Sequence, residues 1–590
     1  MRISSVLFPL ALCFAAGVFA QELPRILPPG ELPKDARLAP PKDLDGYFPF
    51  TPSTSRDAWE KRAAHVRRQM RVALGLWPEP TRTPLNAVIH GRIDGDDYTV
   101  EKVYFESMPG FFVTGSLFRP KNSQTAGKKI PAILCPHGHW DEARFRLLGD
   151  AELKKELASG GERLPNGGRS IFQSLGVQLA RMGCIALVYD MIGYCDNKQI
   201  SFDVAHKFAK QRPEMSTREN WGLFSPQAET HAQSIMGLQT WNSMRALDFL
   251  TSLPEVDPQR LGCTGASGGG TQTMILSALD PRITVECPAV MVSTAMQGGC
   301  TCENASLLRV DTGNIEFAAL FAPKPLGMTA ANDWTKEMET KGYPELRTHY
   351  AMMGAPENVA LWAMLHFGHN YNAVSRAKIY GWFNKHFALG LSEAQLTERE
   401  YDVLSRDQLS VWDAEHPIPA GGADFERKLL RWWHDDAEAQ QKKNATALRL
   451  EAWRAIVRRD FADAPAWKIT VEQRSDAHPA ATARLIANET FREFVPICAL
   501  DPKTPNGQIA IWLSDAGKNG LFAAGGQPRA EVQRLLDSGV SVIGVDLCMQ
   551  GEFLTDPTKP AHNRRVQNPR EAAAYTFGYN DALLIQRVHD

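Results

Sequence analysis

Gly265-Ala266-Ser267-Gly268-Gly269 has the G-x-S-x-G form. A seryl hydroxyl becomes an effective nucleophile only when a base takes its proton and an acid orients that base. The apolar run RLGCT precedes the pentapeptide, and GGTQTMILSALD, compatible with a helix, follows it. Strand, sharp turn and helix in that order would hold Ser267 in a strained turn with its Oγ presented. Glycines are needed around it because side chains there would collide with the neighbouring strand and helix. A phosphate-cradling loop is the poorer reading, since no Lys follows the glycines.

In α/β-hydrolases the acid and then the histidine follow the serine along the chain. KPLGMTA runs into Asn332-Asp333-Trp334, which places Asp333 at a sheet end, with Glu337 in reserve. VALWAML runs into His366-Phe367-Gly368-His369-Asn370-Tyr371; His369 is preferred to His366 because it lies further into the loop. A tetrahedral oxyanion needs two N–H donors. Gly268 supplies one, and His139, in the loop His137-Gly138-His139-Trp140 after AILCP, is the expected second. The His137-x-His139 spacing invites a zinc reading, but no third ligand follows at a recognisable interval, so neither metal nor cofactor is expected. Cys300-x-Cys302 is the only close cysteine pair and alone indicates neither a metal site nor a bridge. Trp140, Tyr194 and Trp334 sit near presumed strand ends, where they could stack on a sugar ring or simply pack.

Positioning these groups requires a sheet. Short, continuously apolar runs at 131–138, 184–190, 260–267, 283–293, 324–330 and 359–365 alternate with longer helical stretches such as 170–183 and 239–253. Strands apolar on both faces indicate a mostly parallel sheet covered by helices on both sides; together with the serine turn and the Ser, acid, His order, an α/β-hydrolase fold is expected. Upstream, YTVEKVYFES and FFVTGSLFRP flank Met108-Pro109-Gly110 as a hairpin, and a helix is expected from about Ser55 to Leu76, stopped by Pro78.

The 590 residues carry a formal net charge of −2, so no basic excess exists for binding a nucleic acid by bulk charge. Residues 1–20, with Arg2, an apolar run and small residues before Gln21, read as a secretory leader too short for a membrane span. A secreted or periplasmic protein is expected. The organisation read from the sequence is an arm and helix at 21–85, a catalytic α/β unit at 86–390, a helical connector at 391–465 and a second unit at 466–590. That last unit weakly repeats the first: GQIAIWLSDAGKNG matches PAILCPHGHW, SVIGVDLCMQGEF matches CIALVYDMIGYCD, and YNDALLIQRVHD matches the helix before RLGCTGAS. It reads as a partial hydrolase-like copy, truncated or degenerate, with no nucleophile turn.

LGLWPEPTRTPLNA, PHGHW, GASGGGTQT, QGGCTCEN, NDWTKE and GHNYN together resemble the bacterial acetylxylan esterase-like branch of the α/β-hydrolases, related to the dienelactone hydrolases, over roughly residues 60–390. The resemblance implies a triad on Ser267, Asp333 and His369 and hydrolysis of ester bonds, commonly acetyl groups on plant polysaccharides such as xylan. Where the family usually has Gln after the serine this chain has Gly268, which leaves the acyl group open. Two other functions are weighed. A prolyl-oligopeptidase-like peptidase would share the triad, but no seven-fold propeller repeat precedes the catalytic unit. A binding or scaffold protein with a degenerate site suits only the second unit.

Overall fold

The structure is a computed structural model that describes residues 23–42, 47–121, 127–207, 212–443, 445–459, 467–475, 478, 480–556 and 577–590. The leader expected at residues 1–20 lies outside the described residues. Two compact units are present. The larger comprises Pro41–Arg458 with 577–581; the smaller comprises 23–40, 459–556 and 582–590. Of the connector expected at 391–465, residues 391–458 are grouped with the larger unit and Arg459 with the smaller. Within the larger unit, Tyr401 donates its hydroxyl to the Gly167 carbonyl, and the Leu409 carbonyl accepts from Arg144.

Nine strands form the sheet of the larger unit: β1 (Val88–Asp94), β2 (Tyr98–Met108), β3 (Phe111–Pro120), β4 (Ile130–Pro136), β5 (Ile185–Tyr189), β6 (Val256–Ala266), β7 (Val285–Ala289), β8 (Leu326–Ala330) and β9 (Val359–Ala363). Their order is β1-β2-β3-β5-β4-β6-β7-β8-β9. The pairings β1/β2, β2/β3 and β3/β5 are antiparallel, and those from β5 through β4 to β9 are parallel. The expected hairpin is β2–β3, turning at Gly110 with φ +70°.

The apolar runs make this sheet because both of its faces are covered. Alternate residues of one strand serve two cores. Ala132 and Leu134 of β4, with Ile185 and Leu187 of β5, join one core. Ile133 and Cys135, with Ala186 and Val188, join the other. Helix α1 (Arg56–Ala73) contributes Val66 and Met70 to the first core, as do α3 (Ile235–Ser252) through Met236 and Leu247 and α4 (Gly268–Leu279) through Met274 and Ile275. Helix α2 (Ile171–Arg181) gives Phe172 and Leu175 to the second, and α5 (Ala373–His386) gives Ile379 and Phe383. Each such fully buried side chain contributes about 1.5–3 kcal/mol. Local signals set the helix limits: Ser55 caps α1 through the Ala58 N–H, and Ser170 and Ser234 cap α2 and α3 in the same manner. Helices α6 (Ala423–Lys443) and α7 (Ala445–Val457) also belong to this unit, along with several shorter ones.

The smaller unit carries β10 (Lys468–Arg474), β11 (Ala481–Asn488), β12 (Glu493–Leu500), β13 (Ile509–Trp512) and β14 (Ser541–Val545), with helix α8 (Ala530–Asp537) between the last two. The order is β10-β11-β12-β14-β13, antiparallel three times and then parallel. This is the order and sense of β1-β2-β3-β5-β4, so the repeat seen in the sequence is a repeat of topology. A polar detail repeats too. Asp190, after β5, pairs with Arg144 at 2.8 Å, and Asp546, after β14, pairs with Lys518 at 2.5 Å.

Candidate active site

Because β6, β7, β8 and β9 run parallel, their C-terminal ends share one edge of the sheet, where open α/β sheets place their sites. Ser267 follows β6, Asp333 lies just beyond β8, and His369 just beyond β9. The glycine-rich turn is as tight as its composition demands. A Cβ on Gly265 or Gly269 would lie 2.3 or 2.2 Å from the Pro136 carbonyl oxygen at the end of β4. Ser267 itself has φ +59° and ψ −127°, a strained conformation for a residue with a Cβ. Its N–H donates to the Ala289 carbonyl at 3.1 Å, and its own carbonyl receives the Thr271 N–H as α4 begins. Only 8% of Ser267 is exposed.

His369 Nδ1 lies 2.8 Å from Asp333 Oδ2. The other carboxylate oxygen, Oδ1, accepts from the Thr335 N–H at 2.7 Å and the Thr335 hydroxyl at 2.5 Å. The acid is therefore clamped from one side while its free oxygen faces the imidazole. Both loops are tied down. The Asn332 N–H donates to the Phe367 carbonyl, and Asn370 Oδ1 accepts from Ser375. The Tyr371 hydroxyl meets Thr264 Oγ1, three residues before Ser267 on β6, at 2.9 Å. The reserve residues stand apart: Glu337 pairs with Lys341, and His366 packs on Phe367.

Trp140 joins the two halves of the site. Its ring stacks on His369 at 5.8 Å and 11°. A Cβ placed on Gly138 would be 2.5 Å from that indole and 2.7 Å from Ser267 Cβ, so the loop after β4 lies directly against the serine. Trp334 also packs on the imidazole, with ring centroids 4.5 Å apart and planes tilted by 40°. Tyr194 differs from the sugar-stacking expectation. It is buried, and its ring packs against His137, Phe202 and His206.

His137 fixes the base of this loop. Its Nε2 accepts the Met191 N–H at 3.0 Å, so its Nδ1–H donates to the Gly138 carbonyl at 2.9 Å. Burial drives its pKa down to about 4, so the ring is neutral. Beneath it, burial alone would raise the Asp190 pKa, but the Arg144 guanidinium holds it below the ordinary carboxylate value.

The expected oxyanion donors are neighbours: a Cβ on Gly268 would stand 2.8 Å from His139 Cε1. His139 also has company that sequence spacing did not reveal. Its Nε2 lies 3.1 Å from Cys302 Sγ, while His206 Nδ1 lies 3.2 Å from Cys300 Sγ. A hydrogen bond with Cys302, opposed by burial and reinforced by His139 and His206, holds the Cys300 thiol well below its ordinary pKa; burial pushes the Cys302 thiol up. Two residues of this region carry no motif in the sequence. His206 stands 94 positions from Cys300, with no spacing signal. Thr335 was detectable only as a hydroxyl two residues after the acid, the Asx-turn spacing.

The family model described as "Glucuronyl esterase, fungi" matches residues 193–316, which include Ser267. A 4-O-methyl-glucuronoyl methylesterase of Cerrena unicolor is 29% identical over 106 residues, 18% of this chain and 22% of that protein. The putative hydrolase YtaP of Bacillus subtilis (strain 168) is 24% identical over 230 residues, 38% of this chain and 62% of that protein. The chain thus spans less than two thirds of both curated relatives. Among solved structures, methylesterase BT1017 is 24% identical with a TM-score of 0.48, covering 66% of this chain and 78% of that one. Over residues 193–316 the chain is similar to the glucuronyl esterases, and its mostly parallel sheet with Ser267 on the sharp turn after β6 is the arrangement of an α/β-hydrolase fold.

Proposed function

We propose that this chain is an exported serine esterase that hydrolyses carboxylic esters on plant polysaccharide by a Ser267-His369-Asp333 acyl-enzyme mechanism. The observation that carries the reading is the 2.8 Å contact of His369 Nδ1 with an Asp333 carboxylate already clamped by Thr335, on the same sheet edge as the strained Ser267. With Nδ1–H given to Asp333, His369 Nε2 carries the lone pair that takes the Ser267 proton as Oγ attacks the ester carbonyl. The Gly268 and His139 N–H groups receive the oxyanion. The imidazolium then protonates the leaving alkoxide, and the acyl group stays on Ser267 until water, activated by the same imidazole, releases it. Trp140 and Trp334, both packed on the imidazole, offer the aromatic faces a sugar ring would use.

Acetyl esters of xylan are the reading that the sequence resemblance supports. The family match across the elbow favours a second, a methyl or alkyl ester of a glucuronate carboxyl. Export is supported by the leader-like first 20 residues. Among the described residues no helix is long and apolar enough to cross a membrane. p-Nitrophenyl acetate, acetylated xylan, methyl glucuronate and a proline peptide assayed side by side test the proposal. Turnover of at least one carbohydrate ester, abolished in Ser267→Ala, is expected. Cleavage of the peptide alone would replace the esterase reading with a peptidase one, and inactivity on all four would refute both.

A further inference from the structure

We infer that His139, His206, Cys300 and Cys302 form a closed, four-ligand zinc site that pins the loop after β4 to the nucleophile turn. One ligand atom from each residue lies within 4.8 Å of every other. Tetrahedral zinc with Zn–S of about 2.3 Å and Zn–N of about 2.0–2.1 Å separates neighbouring N and S ligands by about 3.5 Å. The two N···S contacts, 3.1 and 3.2 Å, need to open by only a few tenths of an ångström.

The chemistry of the donors agrees with the geometry. Two thiolates and two imidazoles are the borderline-soft set that zinc takes in structural sites. Two thiolate charges neutralise a divalent ion, which suits a site where Cys300, Cys302 and His206 are all buried. The tautomer is already set. His206 Nε2–H donates to the Ile192 carbonyl at 2.7 Å, which leaves Nδ1 with its lone pair turned toward Cys300. A ring whose second nitrogen is held by a backbone carbonyl is how ligating histidines are oriented.

The surrounding bonds hold the ligand loops in register. Thr301 Oγ1 donates to the Ala205 carbonyl beside His206, and Asn304 Nδ2 donates to the Cys300 carbonyl. Glu303 takes the Gly299 N–H with one oxygen and the Thr271 hydroxyl of α4 with the other, which links the cysteine loop to the helix after Ser267. His139 completes the link, since its ring lies over Gly268. With all four positions filled by protein, the ion has no open coordination site for substrate, and its role is to position the loop whose N–H faces the oxyanion. The binding claim stands on these four side chains alone; the effect on turnover rests on the esterase reading.

The test uses the full chain purified under reducing conditions. We expect about one zinc per chain by elemental analysis, none in Cys302→Ser or His206→Ala, and a thiolate-to-cobalt charge-transfer band after the zinc is removed with a chelator and Co²⁺ is added. The band reads the site in the unaltered chain, so it decides the matter even if the variants misfold. Chelation is expected to lower ester turnover toward the roughly 10²–10³-fold loss of one oxyanion donor, with restoration by Zn²⁺. A chain without stoichiometric zinc and without the cobalt band, or one isolated with a Cys300–Cys302 disulfide, would overturn the site. Ester activity absent while zinc and the band are present would count against the esterase reading and leave the site standing.

Discussion

Asp333→Asn is the most discriminating change at the site, because Thr335 dictates how the new amide must lie. Asp333 Oδ1 now receives two hydrogens, from the Thr335 N–H and hydroxyl. An asparagine can keep both only by placing its oxygen there, which turns its NH₂ toward His369 Nδ1, 2.8 Å away. That nitrogen must then accept, so the proton moves to Nε2, and Nε2 can no longer take the proton of Ser267. The wrong tautomer at a serine triad costs about 10⁴ in turnover, equivalent to about 5.5 kcal/mol of barrier. Folding should be nearly unchanged, because the Thr335 bonds persist. Steady-state kinetics on p-nitrophenyl acetate, with thermal unfolding as the control, read both quantities. A variant that keeps a tenth or more of wild-type kcat with the same Tm would refute the assigned roles of Asp333 and His369.

Gly269→Ala puts a Cβ 2.2 Å from a backbone oxygen that cannot swing away, so a loss of about 3 kcal/mol or more is expected in urea unfolding; wild-type stability would contradict the described turn. Trp334→Ala removes the face 4.5 Å from His369 and should raise KM for a carbohydrate ester more than for p-nitrophenyl acetate, while equal effects on both would remove it from sugar binding. His137, held neutral with a pKa of about 4 by burial, titrates near 6.5 once unfolded. Its depressed value means that its contribution is intact above about pH 6.5 and is lost as pH falls from there toward 4, by about 3 kcal/mol in all. Urea unfolding at pH 7, 5.5 and 4.5 should show that decline, and His137→Asn should show less of it; equal slopes would contradict the buried, neutral ring.

Much of this architecture is visible in the chain itself. PAILCP and IALVY are apolar at every position because alternate side chains enter different cores, and that pattern identifies a covered parallel sheet. Ser267, Asp333 and His369 each follow an apolar run, and parallel strands bring such run ends to one edge. The remainder depended on contacts between distant segments. Nothing near His139 announces His206 or the two cysteines, since two loops and the end of the short helix Phe202–His206 bring them together. Tyr194 looked like a strand-end aromatic available to substrate, but Phe202 and two histidine rings enclose it. Residues 391–458 carry the charge pattern of a linker, yet Leu409 and Tyr401 are buried in the second core. The repeat in the smaller unit was faint in sequence and clear only as strand order.

The proposed mechanism stands or falls on Ser267 as the nucleophile. Treating the protein with a fluorophosphonate and mapping the adduct by peptide mass spectrometry tests this most directly. One label is expected, on the peptide containing Ser267, with loss of ester hydrolysis in step with labelling; Ser267→Ala should take no label and lose about 10⁴ or more in kcat. A label on another residue, or hydrolysis that survives in Ser267→Ala, would contradict that mechanism.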